Sequence, residues 1–83
     1  MKIENFKTKN QFILEDDDKV IFQSYDSKCL EYDKNTKILK VFKDYNFSKT
    51  TSKHSKMFIL EKTDLKIKKL DDLKKLENVI FVD

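Results

Sequence analysis

The sequence predicts an α+β domain in which a small antiparallel four-stranded meander packs against one main helix, with a short second helix and a C-terminal strand. Three observations carry that prediction. Between residues 11 and 43, β-branched and aromatic runs alternate with polar turns. From Ser48 onward, Ser48, Thr50 and Thr51 can accept from the unpaired N–H groups that open a helix, and Met57, Phe58, Ile59 and Leu60 follow as an apolar anchor. A chain of 83 residues fits one domain with one small core, spanning residues 1–83.

Taken in order, residues 1–10 are polar, a short arm or the lead into the first strand. Residues 11–15 (QFILE) and 19–25 (KVIFQSY) form a hairpin across Asp16, Asp17 and Asp18. With no glycine in the chain, aspartate must supply that turn, through its tolerance of left-handed backbone and its bonds to nearby N–H groups. Residues 27–32 (SKCLEY) and 37–43 (KILKVFK) pair across the polar stretch Asp33, Lys34, Asn35 and Thr36. Alternation places Val20, Phe22 and Ser24 on one face and Ile21, Gln23 and Tyr25 on the other, so one of two partly apolar faces lies under the helix. The expected core is Phe12, Phe22, Leu30, Phe42, Phe58 and Leu60.

After Lys62, residues 64–68 alternate like a strand, whereas Leu70, Leu73 and Leu76 recur at helical spacing. Asp71 and Asp72 suit a helix N-terminus, and Lys74 and Lys75 its C-terminus. Asn78 stands in for glycine as the stop, and residues 79–82 (VIFV) close as a strand. A helix of about seven residues is too short for a parallel crossover, so the last strand should pair antiparallel or lie at an edge.

The segments NQFIL (10–14), FQSYDS (22–27) and DYNFSKTTSKH (44–54) followed by MFIL resemble, in the same order, a group of small phage-encoded proteins of unknown function. The resemblance covers roughly residues 1–60, and the pair FQSY and TTSKH is its most specific part. It implies a phage or prophage origin and action inside a bacterium. It implies no reaction.

Composition narrows the function classes. The chain lacks Gly, Pro, Trp, Ala and Arg, all encoded by G/C-rich codons, which points to an AT-rich genome and discounts part of the lysine abundance as codon bias. A single cysteine, Cys29, permits no internal disulfide and suits an intracellular, cytoplasmic protein. No apolar leader region opens the sequence, and its apolar runs are far too short for a membrane span. No cofactor is implied. Zinc needs four Cys or His ligands where this chain has Cys29 and His54, and consecutive carboxylates at Asp16, Asp17 and Asp18 lack the spacing of a calcium loop. A Cys29–His54 pair oriented by Asp26, Asp33 or Asp44 is the one catalytic arrangement available, and a lone cysteine is more often a small core hydrophobe, so no enzyme is expected.

Charge is unevenly spread. Residues 49–69 hold seven Lys against two acids, for a local excess of +5 in a chain of net charge +3. Lys49, Lys53 and Lys56 fall at i, i+4 and i+7 and share one helix face. That face can track phosphates without specificity, because arginine, the usual bidentate reader, is absent. The expected contact surface is therefore Tyr45 as an aromatic anchor with Lys49, Lys53, His54 and Lys56 as a polar rim. The leading expectation is a phage-type protein that binds another protein, a host or phage complex, most concretely as an inhibitor of a bacterial defence complex of the anti-CRISPR type. A nucleic-acid-binding accessory protein using the Lys49 to Lys69 face is the alternative.

Overall fold

The structure is a computed structural model that describes residues 2–82 apart from Lys7, Asp26 and Phe47, with only the backbone of Thr8 and Lys9. Asp26, one candidate to orient a Cys–His pair, therefore lies outside the described residues. The elements are β1 (Lys2–Phe6), β2 (Thr8–Glu15), β3 (Lys19–Ser24), β4 (Ser27–Asp33), β5 (Leu39–Phe42), a 3-10 turn (Lys43–Asn46), α1 (Lys49–Lys62), a 3-10 helix (Leu70–Lys75) and β6 (Val79–Val82). One six-stranded sheet runs in the order β1-β2-β3-β4-β5-β6. The predicted meander is its centre, β2 to β5, and a strand is added at each edge.

The strand at the C-terminal edge is the expected run 79–82, whereas β1 and the parallel direction of β6 follow from pairing that the sequence did not reveal. The polar N-terminal stretch is a strand because β1 pairs antiparallel with β2, Ile3 opposite Leu14 and Glu4 opposite Ile13, at an edge where polar side chains stay solvated. At the other edge β6 pairs parallel with β5, Leu39 opposite Val79. The crossover between these strands is the whole segment from the 3-10 turn through α1 to the 3-10 helix, not the short helix alone, so the length objection to a parallel pair does not apply. Residues 64–68 form no strand. Leu70–Lys75 is a 3-10 helix whose entry is tied by Lys68 and Lys69 N–H groups donating to Asp72 Oδ2 at 3.1 and 3.3 Å. Asn78 does not adopt the left-handed stop conformation, since among the described residues only Tyr25 and Lys37 have positive φ.

Aspartate builds the turns by hydrogen bonding. Asp16 Oδ1 accepts from the N–H groups of Asp18 and Lys19, both at 2.9 Å, and Asp33 Oδ1 accepts from Asn35 and Thr36 at 2.8 and 3.0 Å. Left-handed backbone falls instead on Lys37, φ 62°, at the end of the second turn.

The core lies between the sheet and α1. Ser48 caps the helix, its Oγ accepting from Thr51 N–H at 3.1 Å. The buried face is Thr51, His54, Ser55, Phe58 and Ile59, spaced i, i+3, i+4, i+7 and i+8. Of the consecutive run 57–60, only Phe58 and Ile59 can face the sheet, so Leu60 turns outward and is 48% exposed instead of joining the core. Phe22 and Leu30 are fully buried as expected. Phe12 and Phe42 are only half-buried because their register places them on the helix-free face: Phe12 opposes Gln23, while its neighbour Ile13 opposes Phe22. Phe6, missed by the sequence reading, closes an aromatic cluster with Phe22 and Phe58 at centroid distances of 5.8 and 6.4 Å.

Candidate functional site

The 3-10 turn after β5 directs Tyr45 inward. Its ring meets Phe81 of β6 edge to face at 6.0 Å, and its carbonyl accepts from Ser55 Oγ of α1 at 2.7 Å. Those contacts fix α1 against the end of the sheet. Leu73, fully buried, anchors the 3-10 helix on the same side and sets Lys69, Leu70 and Asp71 across from the outer face of α1. The two elements leave an open groove of about 400 Å³ between them. Tyr45 and Leu70 supply its apolar lining, Asn46 and Ser52 neutral polar groups, and Lys53, Lys56 and Lys69 three positive charges against the single carboxylate of Asp71.

Among the described residues, none of Lys49, Lys53, Lys56 and Lys69 forms an ion pair, and Asp71 is the one carboxylate lining the groove beside them. Lys53 and Lys56 of the predicted contact set line the groove; Lys49, exposed, lies one helical turn before Lys53 and outside the lining. Tyr45 lines the groove but is only 9% exposed, against the expectation of an exposed anchor. His54 is 5% exposed and belongs to the core, because Phe6 of the unforeseen strand β1 lies edge-on to its ring at 6.3 Å. Since a carbonyl only accepts, the 2.9 Å contact from His54 Nδ1 to Thr50 O puts the ring proton on Nδ1. Lys69, Leu70, Asn46, Ser52 and Asp71 are the groove residues that sequence reasoning did not select. Lys69 already stood in the basic excess, but only the packing of the 3-10 helix brings it opposite Lys53 and Lys56.

Cys29 is fully buried, and its thiol donates weakly to the carbonyls of Ser27 and Asp44, each at 3.5 Å. Burial pushes its pKa up to about 11, with the nearby Asp44 charge raising it further against a lowering backbone contact at Ser24. At neutral pH it is a thiol and not a nucleophilic thiolate. Among the described residues no group of three or more His, Cys, Asp or Glu is placed to hold a metal ion. No helix is long and apolar enough to cross a membrane.

The segments FQSYDS and TTSKH, far apart in sequence, meet in space. Ser24 Oγ and Thr51 Oγ1 share a buried hydrogen bond of 3.1 Å, and Ser48 Oγ also donates to Thr51 Oγ1 at 3.1 Å. No curated protein and no solved structure matches the chain. A family model does, over residues 1–75, extending past the end of α1 where the phage-protein resemblance stops. The chain therefore belongs to a family of unknown function, DUF8033.

Proposed function

We propose that this protein acts by binding another protein, with the groove between α1 and the 3-10 helix as the contact. The observation that supports this most is the combination of an apolar floor, Tyr45 and Leu70, with Lys53, Lys56 and Lys69 around it, none of them ion-paired among the described residues. A pocketed apolar anchor inside a charged rim is the composition of a protein interface, whereas a phosphate track needs a continuous basic surface and no floor. Size permits it: roughly 800 Å² per partner suffices for a specific interface, and the chain exposes 5514 Å². The partner's matching surface is acidic around an apolar side chain. The resemblance to phage-encoded proteins makes the concrete version an inhibitor of a bacterial defence complex of the anti-CRISPR type.

The alternative, a nucleic-acid-binding accessory protein, draws on the exposed lysines Lys49 and Lys53 continuing beyond the groove. Capture from bacterial lysate at low and high salt, with and without nuclease, separates the two. A stoichiometric protein retained after nuclease and through high salt is the expected result; retention that nuclease abolishes, and that salt weakens steeply, would transfer the assignment to nucleic acid.

A further inference from the structure

A second cavity, of about 170 Å³, is walled by Ser24, Tyr25, Ser27, Cys29, Asp44 and Thr51. Its walls are held. Ser24 and Thr51 are 4% and 2% exposed, and their mutual hydrogen bond ties β3 to the first turn of α1. At its lip the backbone is strained: Tyr25 sits at φ 54°, where a bulky residue is disfavoured by roughly 1 to 3 kcal/mol. That conformation is gripped from both ends, the Tyr25 N–H donating to Asn10 O at 2.8 Å and the Tyr25 carbonyl accepting from Gln23 Nε2 at 2.9 Å. The consequence is an aromatic residue held 62% exposed beside the opening.

Size and charge then select the occupant. Small-molecule and cofactor sites run to roughly 300–1,000 Å³, well above this cavity. At about 30 Å³ per water it has room for five or six waters, the scale of one long side chain. Among the described residues Asp44 is the only carboxylate in its walls, and that carboxylate has neither an ion pair nor a hydrogen bond. An anion is repelled here. A cation meets a carboxylate, two serine hydroxyls, and an aromatic face suited to a guanidinium or ammonium group.

We infer that this cavity receives the charged end of one arginine or lysine side chain of the partner protein, with Asp44 accepting its N–H groups and the Tyr25 ring lying against it. The inference rests on the protein-binding reading and names a second feature of the partner. Asp44 and Tyr45 are adjacent in the 3-10 turn, and Thr51 and Ser52 in α1, so neighbouring residues of the same two elements wall cavity and groove. A partner that fits both carries a basic side chain beside an acidic, partly apolar patch.

The test is an amide NMR titration of the full chain with Nα-acetyl-arginine methylamide and Nα-acetyl-lysine methylamide, with the norleucine and glutamate analogues as neutral and acidic controls. Saturable shifts at Tyr25, Ser27 and Thr51 are expected with the two cationic probes only. Asp44→Asn should weaken them about tenfold or more, as when a charge-assisted hydrogen bond becomes a neutral one. Tyr25→Gly suits a positive φ better than tyrosine, so it should keep the fold and weaken the arginine probe several-fold. The absence of saturable shifts at these residues, an equal response to norleucine, or an undiminished response in both variants would overturn the inference. Those outcomes leave the groove standing, because its lysines are not altered; loss of the groove contact with these shifts intact would fail the protein-binding reading alone.

Discussion

Phe22, Phe58 and Leu60 show how a side chain's place, not its type, sets its energetic weight. Phe22 and Phe58 are fully buried, their rings 5.7 Å apart and tilted by 32° in the sheet-to-helix contact. Truncating either to alanine removes that packing and leaves a cavity, so each should cost about 3 to 5 kcal/mol by denaturant unfolding. Leu60→Ala, on a residue that is 48% exposed, should cost less than about 1 kcal/mol. Equal losses at Leu60 and Phe58 would mean that α1 is rotated from the face described. His54 and Tyr45 follow the same rule in the other direction. Alanine at either one removes core contacts, so lost binding in such a variant would report instability as readily as a lost interface, and the exposed lysines are the cleaner probes.

At the scale of elements, the aspartate turns tie stability to pH. Backbone N–H groups of Asp18 and Lys19 hold the Asp16 carboxyl below its usual range, those of Thr36 and Asn35 do the same for Asp33, and that of Lys68, followed by Lys69, for Asp72; the Lys34 hydrogen bond lowers Glu15. In each case the folded pKa lies below the unfolded one, so the stabilisation is complete above the ordinary carboxylate pKa of about 4 and is lost as pH falls through the folded values. The melting temperature should be level from pH 7 to about 5 and drop progressively below 4. Asp16→Asn keeps an oxygen acceptor for the turn but removes its titration, so its melting curve should fall less steeply in acid; an identical acid profile would show that these bonds do not differ between folded and unfolded chains. The same elements mark what the sequence could reveal. The β2–β3 and β4–β5 hairpins and the Ser48 cap were legible because local chemistry determines them. Strand β6 was legible as the apolar run VIFV, but its parallel pairing with β5 was not, since Val79 meets Leu39 only through the long crossover, and the polar strand β1 was not legible, since an edge strand needs only a neighbour to pair with. Residues 64–68 show the converse, an alternating pattern that pairs with no strand of the sheet.

Across the whole molecule, the basic excess of residues 49–69 is read by position. Lys37 pairs with Asp64 at 3.2 Å beyond the end of α1, whereas Lys53, Lys56 and Lys69 line the groove with no ion pair among the described residues. Two of those lysines were identifiable from helical spacing; the third, with Leu70 and Asp71, depended on the docking of the 3-10 helix through Leu73. We propose this groove as the surface where a partner protein binds. Its most direct test is partner capture by the Lys53→Glu, Lys56→Glu and Lys69→Glu triple variant beside the wild type, with melting curves of both. Surface charge changes of this kind leave folding nearly unaltered, while placing like charges against an acidic surface costs several kcal/mol of association. A melting temperature close to wild type and loss of the captured protein are expected; capture at the wild-type level by a folded triple variant would move the interface to another face.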